Sequence, residues 1–174
     1  MDRSAVRKHQ DFANFHLTEA QMHHRQVLES LYAYEEGMVK IVLGEAGCET
    51  AHSCSDVIAH IDCPIKIEHY EKLSAELYAC CEFLKHYFEH DGPVTAHLFI
   101  SPAESLSFPM HTDPDDVLVL MVKGNKTFRT LDGEYTLKPG ESLFIPANTK
   151  HQAINHEDSL MISFGLEKFI VDKL

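Results

Sequence analysis

The sequence predicts a mainly β protein with α: a closed β structure over residues 93–174, preceded by a helical region over residues 1–92. Three observations predict it. Apolar residues recur every three to four positions before Asp91-Gly92-Pro93 and every second position after it, so the period changes from helix to strand. The second half carries six or seven short apolar runs separated by Gly, Pro, Asn and Asp, the spacing of a barrel or sandwich. The chain has 174 residues, 44% hydrophobic and 24% charged. That suits one domain with a helical extension, burying roughly 70% of its unfolded surface.

The elements follow in order. Thr18 and Gln21 fit a capping box. Val27, Leu31, Tyr34, Met38 and Val42 form one helical stripe, with Gly44 as its C-cap. "SDVIAHI" predicts a short helix starting near Ser55 or Asp56. A longer helix is predicted over Lys66–Phe88, with Leu73, Leu77, Cys81, Leu84 and Phe88 on one side. "VTAHLFI" is the first strand of the β half, and "MHTDPDDVLVLMV" carries the next, interrupted near Pro114. "KTFRTL" follows Gly124. Asp132-Gly133 marks a hairpin turn before "EYTL". Pro139-Gly140 is a second turn, leading to "SLFIP", and "SLMISFGL" closes the series. The helices are expected to cover one sheet face or to pair two subunits, and an uncovered sheet edge makes a homodimer a reasonable expectation.

Composition excludes several classes. The net charge is -12, so no nucleic acid partner held through phosphates is expected. The longest clean apolar run, Val117–Val122, is far too short to span a bilayer, so no membrane partner is expected. "MDRSAVRKHQ" has no apolar signal core, and the expected location is cytoplasmic. Five cysteines without a regular framework read as reduced thiols. Cys48, His52 and Cys54 have no matching second ligand pair for structural zinc. Cys80 and Cys81 lie in a helical pattern and read as packing.

The chemistry concentrates at "FPMHTDPDDVLVLMVKGNK". His111 and Asp113 are two apart, so on a strand they face the same way. Together they can fill two positions of one metal. His151, in "GESLFIPANTKHQAIN", follows a strand and a tight turn and is the best third ligand. Two imidazoles and a carboxylate on one face of an ion leave the opposite positions open, as in the facial triad of non-haem Fe(II) oxygenases. A lone His-x-Asp carries little weight in a chain with 13 histidines. The weight lies in both elements sitting at strand ends of the β half.

"GESLFIPANTKHQAIN" resembles the second cupin motif through Gly140, Pro146, His151 and Asn155. Asn148 stands where that motif has glycine, and asparagine also tolerates a left-handed turn. The first cupin motif is met by His111 and Asp113, while Val117 and Leu118 occupy the zone of its usual glutamate. That departure resembles the Jumonji-C-like branch of 2-oxoglutarate-dependent oxygenases. "HLFISPAESLSFPMHTDPDDVLVLMVKGNKTFRTL" is similar to the ribosomal-oxygenase type within it, through Ser101-Pro102, His111, Asp113, Val117–Val122, Gly124 and Lys126. The resemblance covers about residues 94–166 and implies a double-stranded β-helix, the cupin jelly roll.

The resemblance further implies Fe(II) on His111, Asp113 and His151, and 2-oxoglutarate as co-substrate. Lys126, fifteen residues beyond His111, is implied to anchor the distal carboxylate. A lysine suits this physically, as a point charge on a long stem. Its alternation with Phe128 and Thr130 directs it inward, against the ordinary reading of a solvated lysine. His97 and Ser163 are the other co-substrate-binding candidates; the first reads equally as a satisfied core histidine and the second as a packing residue. Phe99, Phe108 and Met121 are candidates for the pocket wall, and Asp115 and Asp116 for attracting a basic substrate. His86 with His90, His23-His24 and His156 read as surface.

The implied activity is hydroxylation of a C–H bond in a peptide side chain or a small amino-acid-like substrate, coupled to decarboxylation of 2-oxoglutarate. With the sequence ending at Leu174, the C-terminal winged-helix region of larger members is not expected. The substrate surface is therefore expected from the N-terminal helices or a second subunit. Two rivals remain open: a metal-dependent cupin that does not use 2-oxoglutarate, such as an isomerase or another dioxygenase, and a non-catalytic cupin that senses a ligand.

Overall fold

The structure is a computed structural model and describes residues 3–9 and 17–168. The β half supplies β5 (Val94–Ser101), β6 (Asp116–Lys123), β7 (Lys126–Thr130), β8 (Glu134–Leu137), β9 (Ser142–Ile145), β10 (His151–Ile154) and β11 (Ser159–Leu166). Before them stand β1 (Arg7–His9), β2 (Val39–Val42), β3 (Cys48–Thr50) and β4 (Ile65–Ile67). Eight strands form one antiparallel sheet in the order β1-β9-β6-β11-β5-β4-β2-β3, and three form a second in the order β10-β7-β8.

The helices are α1 (Glu19–Met22), α2 (His24–Glu29), α3 (Leu31–Glu35), α4 (Cys54–Ala59) and α5 (Ala75–Tyr87). The Thr18 amide donates to Gln21 Oε1 at 2.8 Å, as a capping box requires. α4 starts a little earlier than expected, with Ser53 Oγ accepting from the Asp56 amide. α5 is capped by Ser74 Oγ, which accepts from the Leu77 amide at 3.3 Å.

Two readings of the first half are corrected. The stripe from Val27 to Val42 is not one helix. Ser30 is extended (φ -85°, ψ 139°) between α2 and α3. Gly37 then turns at φ +65°, and Val39 and Ile41 alternate inward on β2. Residues 66–88 are not one helix either. Ile65 and Ile67 are buried on β4, His69 adopts φ 53°, and the helix begins only after Ser74. Residues 1–92 are thus not wholly helical, because β-branched pairs with period two override the weaker helical spacing. β4 pairs with β5, matching Ile65 to Ile100 and Ile67 to Leu98.

Strand parity divides the core in two. Leu118, Leu120, Leu160, Ile162, Phe164, Ala96 and Leu98 point outward from the large sheet onto Tyr70, Leu77 and Leu84. Val117, Val119, Met121, Leu143 and Met161 point inward and meet Phe128 and Leu137 of the small sheet. A slip of one residue would exchange these faces, so the same alternation that builds the core decides which side chains enter the barrel. Gly124, at φ +68°, makes the β6–β7 turn, and a Cβ there would lie 2.2 Å from the Asp158 carbonyl oxygen.

Candidate active site

His111 and His151 form an antiparallel bridge. Each amide donates to the other's carbonyl oxygen, at 3.0 Å and 2.9 Å. Such a pair puts both side chains on one face, and the ring centroids are 4.5 Å apart. The Asn148 amide donates to the Asp113 carbonyl oxygen at 2.8 Å, fixing the backbone two residues on. Asn148 itself takes the left-handed turn expected of it, at φ 60°. Asp113 Oδ2 lies 3.4 Å from His151 Nε2, and Oδ1 lies 3.8 Å from His111 Nε2.

The backbone also sets the tautomers. His111 Nδ1 faces the Pro109 carbonyl oxygen at 2.8 Å, and His151 Nδ1 faces the Thr149 carbonyl oxygen at 2.9 Å. A carbonyl only accepts, so each Nδ1 carries a hydrogen, and in the neutral ring that tautomer leaves the Nε2 lone pair on the Asp113 side. Burial holds His151 below the usual imidazole pKa, which favours this neutral form. One ligand atom from each residue lies within 4.8 Å of the others, and this is the one such three-residue group among the described residues. Two imidazole nitrogens and a carboxylate, backed by hydrogen bonds on the far ring atoms, fit a divalent transition metal.

These residues open on a cavity of about 360 Å³. Its wall includes Thr95, His97, Phe99 and Ser101 of β5, Lys126 and Phe128 of β7, and Met161, Ser163 and Gly165 of β11. Lys126 is only 2% exposed. Its Nζ donates to Ser101 Oγ at 2.9 Å, and among the described residues it forms no ion pair. Burial lowers its pKa to about 7. A buried ammonium without a counter-charge is costly unless a ligand supplies one.

His97 and Ser163 face each other across β5 and β11 and both line the cavity. The His97 ring is already engaged: Nδ1 accepts from the His69 amide at 3.3 Å, and Nε2 lies 3.5 Å from Thr95 Oγ1. Thr95 in turn donates to Glu167 Oε1 at 2.8 Å. Burial pushes His97 down to about 4, so it is neutral near pH 7. Phe99 and Phe108 line the wall, whereas Met121 belongs to the inner core. Asp115 borders the cavity. Asp116 does not: it accepts from the Ala147 amide at 2.8 Å and pairs with Arg3 at 3.3 Å.

Sequence reasoning missed Thr95, Lys66 and Asn155 as cavity residues and passed over Ser101 as the lysine's partner. Parity was the available signal for two of these. Thr95 and Ser101 share the phase of His97 on β5. Lys66 had none, because its segment reads as helix.

Residues 97–164 match the family described as Cupin domain, and the two facing antiparallel sheets make this a cupin fold carrying a His-x-Asp…His cluster. Similar curated proteins include the bifunctional lysine-specific demethylase and histidyl-hydroxylase NO66 of Branchiostoma floridae, 28% identical over 94 residues, covering 52% of this chain and 15% of that protein. Ribosomal oxygenase 2 of Bos taurus is 29% identical over 104 residues, covering 48% of this chain and 22% of that protein. The chain therefore spans less than a quarter of the length of either. The structure of YcfD, a ribosomal oxygenase from Escherichia coli, in complex with cobalt and 2-oxoglutarate shares the fold at a TM-score of 0.70. It is 14% identical, over 96% of this chain and 49% of that one. No helix among the described residues is long and apolar enough to cross a membrane.

Proposed function

We propose that this chain is an Fe(II)- and 2-oxoglutarate-dependent oxygenase that hydroxylates a C–H bond of a peptide side chain or a small amino-acid-like molecule. The observation that carries the reading is one cavity with two complementary features: a cluster of His111, Asp113 and His151 at one place on its wall, and the unpaired buried cation Lys126 at another. A dicarboxylate with a 2-oxo group satisfies both.

Nε2 of His111, Nε2 of His151 and the Asp113 carboxylate hold the metal. The Pro109 and Thr149 carbonyls keep both rings oriented by accepting from Nδ1. Lys126 binds the distal carboxylate, and Ser101 keeps the ammonium from swinging away. His97 and Ser163 form the floor between strands β5 and β11 against which the co-substrate lies. Phe99, Phe128 and Val119 exclude water. Bound iron supplies the redox chemistry that turns 2-oxoglutarate, O2 and R–H into succinate, CO2 and R–OH. The names of the relatives make peptides the first substrates to try, and cytoplasmic residence belongs to the same proposal.

The test measures succinate formed from 2-oxoglutarate with Fe(II) under air, using short peptides and free amino acids as substrates. Wild type is expected to form succinate and a product heavier by one oxygen. Lys126→Ala should raise the KM for 2-oxoglutarate, and Asp113→Ala should abolish turnover. Succinate at the wild-type rate from Asp113→Ala would contradict the reading.

A further inference from the structure

The three metal-ligand candidates sit on two chain segments, and a side chain outside the triad joins them. His111 and Asp113 precede β6, whereas His151 begins β10 after the turn that follows β9. The side chains of His111 and Asp113 are 34% and 37% exposed. Little packing holds them, so their placement depends on how the two segments meet. Besides the His111–His151 bridge, two consecutive amides of the second segment close that contact. Asn148 donates to the Asp113 carbonyl oxygen and Ala147 to Asp116 Oδ1, both at 2.8 Å. The first bond uses backbone alone, whereas the second depends on one side chain. An amide bonded to a carboxylate is held more strongly than one bonded to a neutral acceptor.

That carboxylate is itself held from a distant part of the chain. Arg3 Nη1 donates to Asp116 Oδ2 at 3.3 Å. Arg3 Nη2 donates to the Phe88 carbonyl oxygen just past α5, and the guanidinium lies 5.6 Å from the centre of the Phe88 ring. The two oxygens of Asp116 are thus engaged in different directions, one by the turn that leads to His151 and one by the arginine. The segment after Arg3 continues into β1, which pairs Arg7 with Phe144 of β9, and β9 leads into Pro146 and Ala147.

We propose that Asp116 is a positioning residue for the metal centre, a carboxylate that clamps the turn before His151 to the start of β6 and is oriented by Arg3. The inference rests on the metal-binding reading above and extends it to residues outside the triad and the cavity wall. It also places in the scaffold an acid that the sequence offers as a lure for a basic substrate.

The test uses Co(II), whose visible absorption reports coordination geometry, and needs no turnover. Wild type, Asp116→Ala, Asp116→Asn, Arg3→Ala and the packing variant Leu84→Ala are titrated with Co(II), and the fold of each is checked by circular dichroism. Asp116→Ala should weaken Co(II) binding about tenfold and alter the visible bands. Asparagine keeps an acceptor for the Ala147 amide, so Asp116→Asn should lose only about two- to threefold, as should Arg3→Ala. Leu84→Ala, destabilised away from the site, should keep the wild-type affinity and spectrum. Wild-type affinity and spectrum in Asp116→Ala, or an equal loss in Leu84→Ala, overturns the role of Asp116. Should alanine at 116 prevent folding, wild-type affinity in both Asp116→Asn and Arg3→Ala overturns it. Failure of the wild type to bind Co(II) overturns the metal-binding reading and this inference with it.

Discussion

Replacing Lys126 with Met should stabilise the unliganded protein, and the gain should depend on pH. The side chain is 2% exposed, and its one hydrogen bond among the described residues goes to a neutral hydroxyl. Burial takes its pKa from 10.5 to about 7. At about 1.4 kcal/mol per tenfold change, that fall corresponds to about 5 kcal/mol as an upper bound. Because the folded pKa lies below the unfolded one, the unfolded chain binds more protons between pH 7 and 10.5. Stability from this group therefore rises with pH across that window, and the full penalty applies below about pH 7. The advantage of Lys126→Met should accordingly shrink by about 2–3 kcal/mol between pH 6 and pH 9. For a chain of this length that is a loss of about 5–10 °C in the Tm difference. Thermal unfolding of both proteins at the two pH values measures it directly. A Tm difference that stays constant with pH, or a variant less stable than wild type at pH 6, would refute the claim that Lys126 is a buried charge waiting for an anion. The same variant should lose most of its 2-oxoglutarate affinity, so stability and binding move in opposite directions.

Three further outcomes follow from the packing and the site. Asn155→Ala removes the side-chain bonds to Ser105 and Leu106 and should weaken metal binding several-fold, read by competition with a chromophoric chelator, while the Ser107–Ala153 and Gln152–Phe108 contacts keep the loop on β10. Gly124→Ala should cost about 3 kcal/mol or more in urea unfolding, because its φ of +68° and the Asp158 carbonyl both exclude a Cβ. Leu84→Ala, at a fully buried position of α5, should cost about 2–5 kcal/mol without changing 2-oxoglutarate affinity.

The β half was legible because its signals are local and mutually consistent. Period two in Val94–Ser101 and Ser159–Leu166 assigned both strand and face, and Asn148 and Gly124 marked the turns they make. The triad was legible because His111 and Asp113 are close in sequence, and the motif around His151 resembles a known one. The first half misled for a physical reason. Val27, Leu31, Tyr34, Met38 and Val42 keep helical spacing, yet Ser30 and Gly37 break the chain between them, and the last turn's worth of residues becomes β2. Short strands such as Ile65–Ile67 carry too few residues to show a period. Their assignment comes from pairing with β5, a partner about thirty residues away. Likewise, the Ser101–Lys126 bond has no local signature, since it joins strands of two different sheets.

The central claim is that His111, Asp113 and His151 together hold one redox-active cation. Anaerobic titration of the wild-type protein with Fe(II), followed by calorimetry, tests it most directly. One Fe(II) per chain is expected, with binding abolished in His111→Ala, in Asp113→Ala and in His151→Ala, while each variant keeps the wild-type circular dichroism spectrum. Undiminished Fe(II) binding in any of the three folded variants would contradict the account.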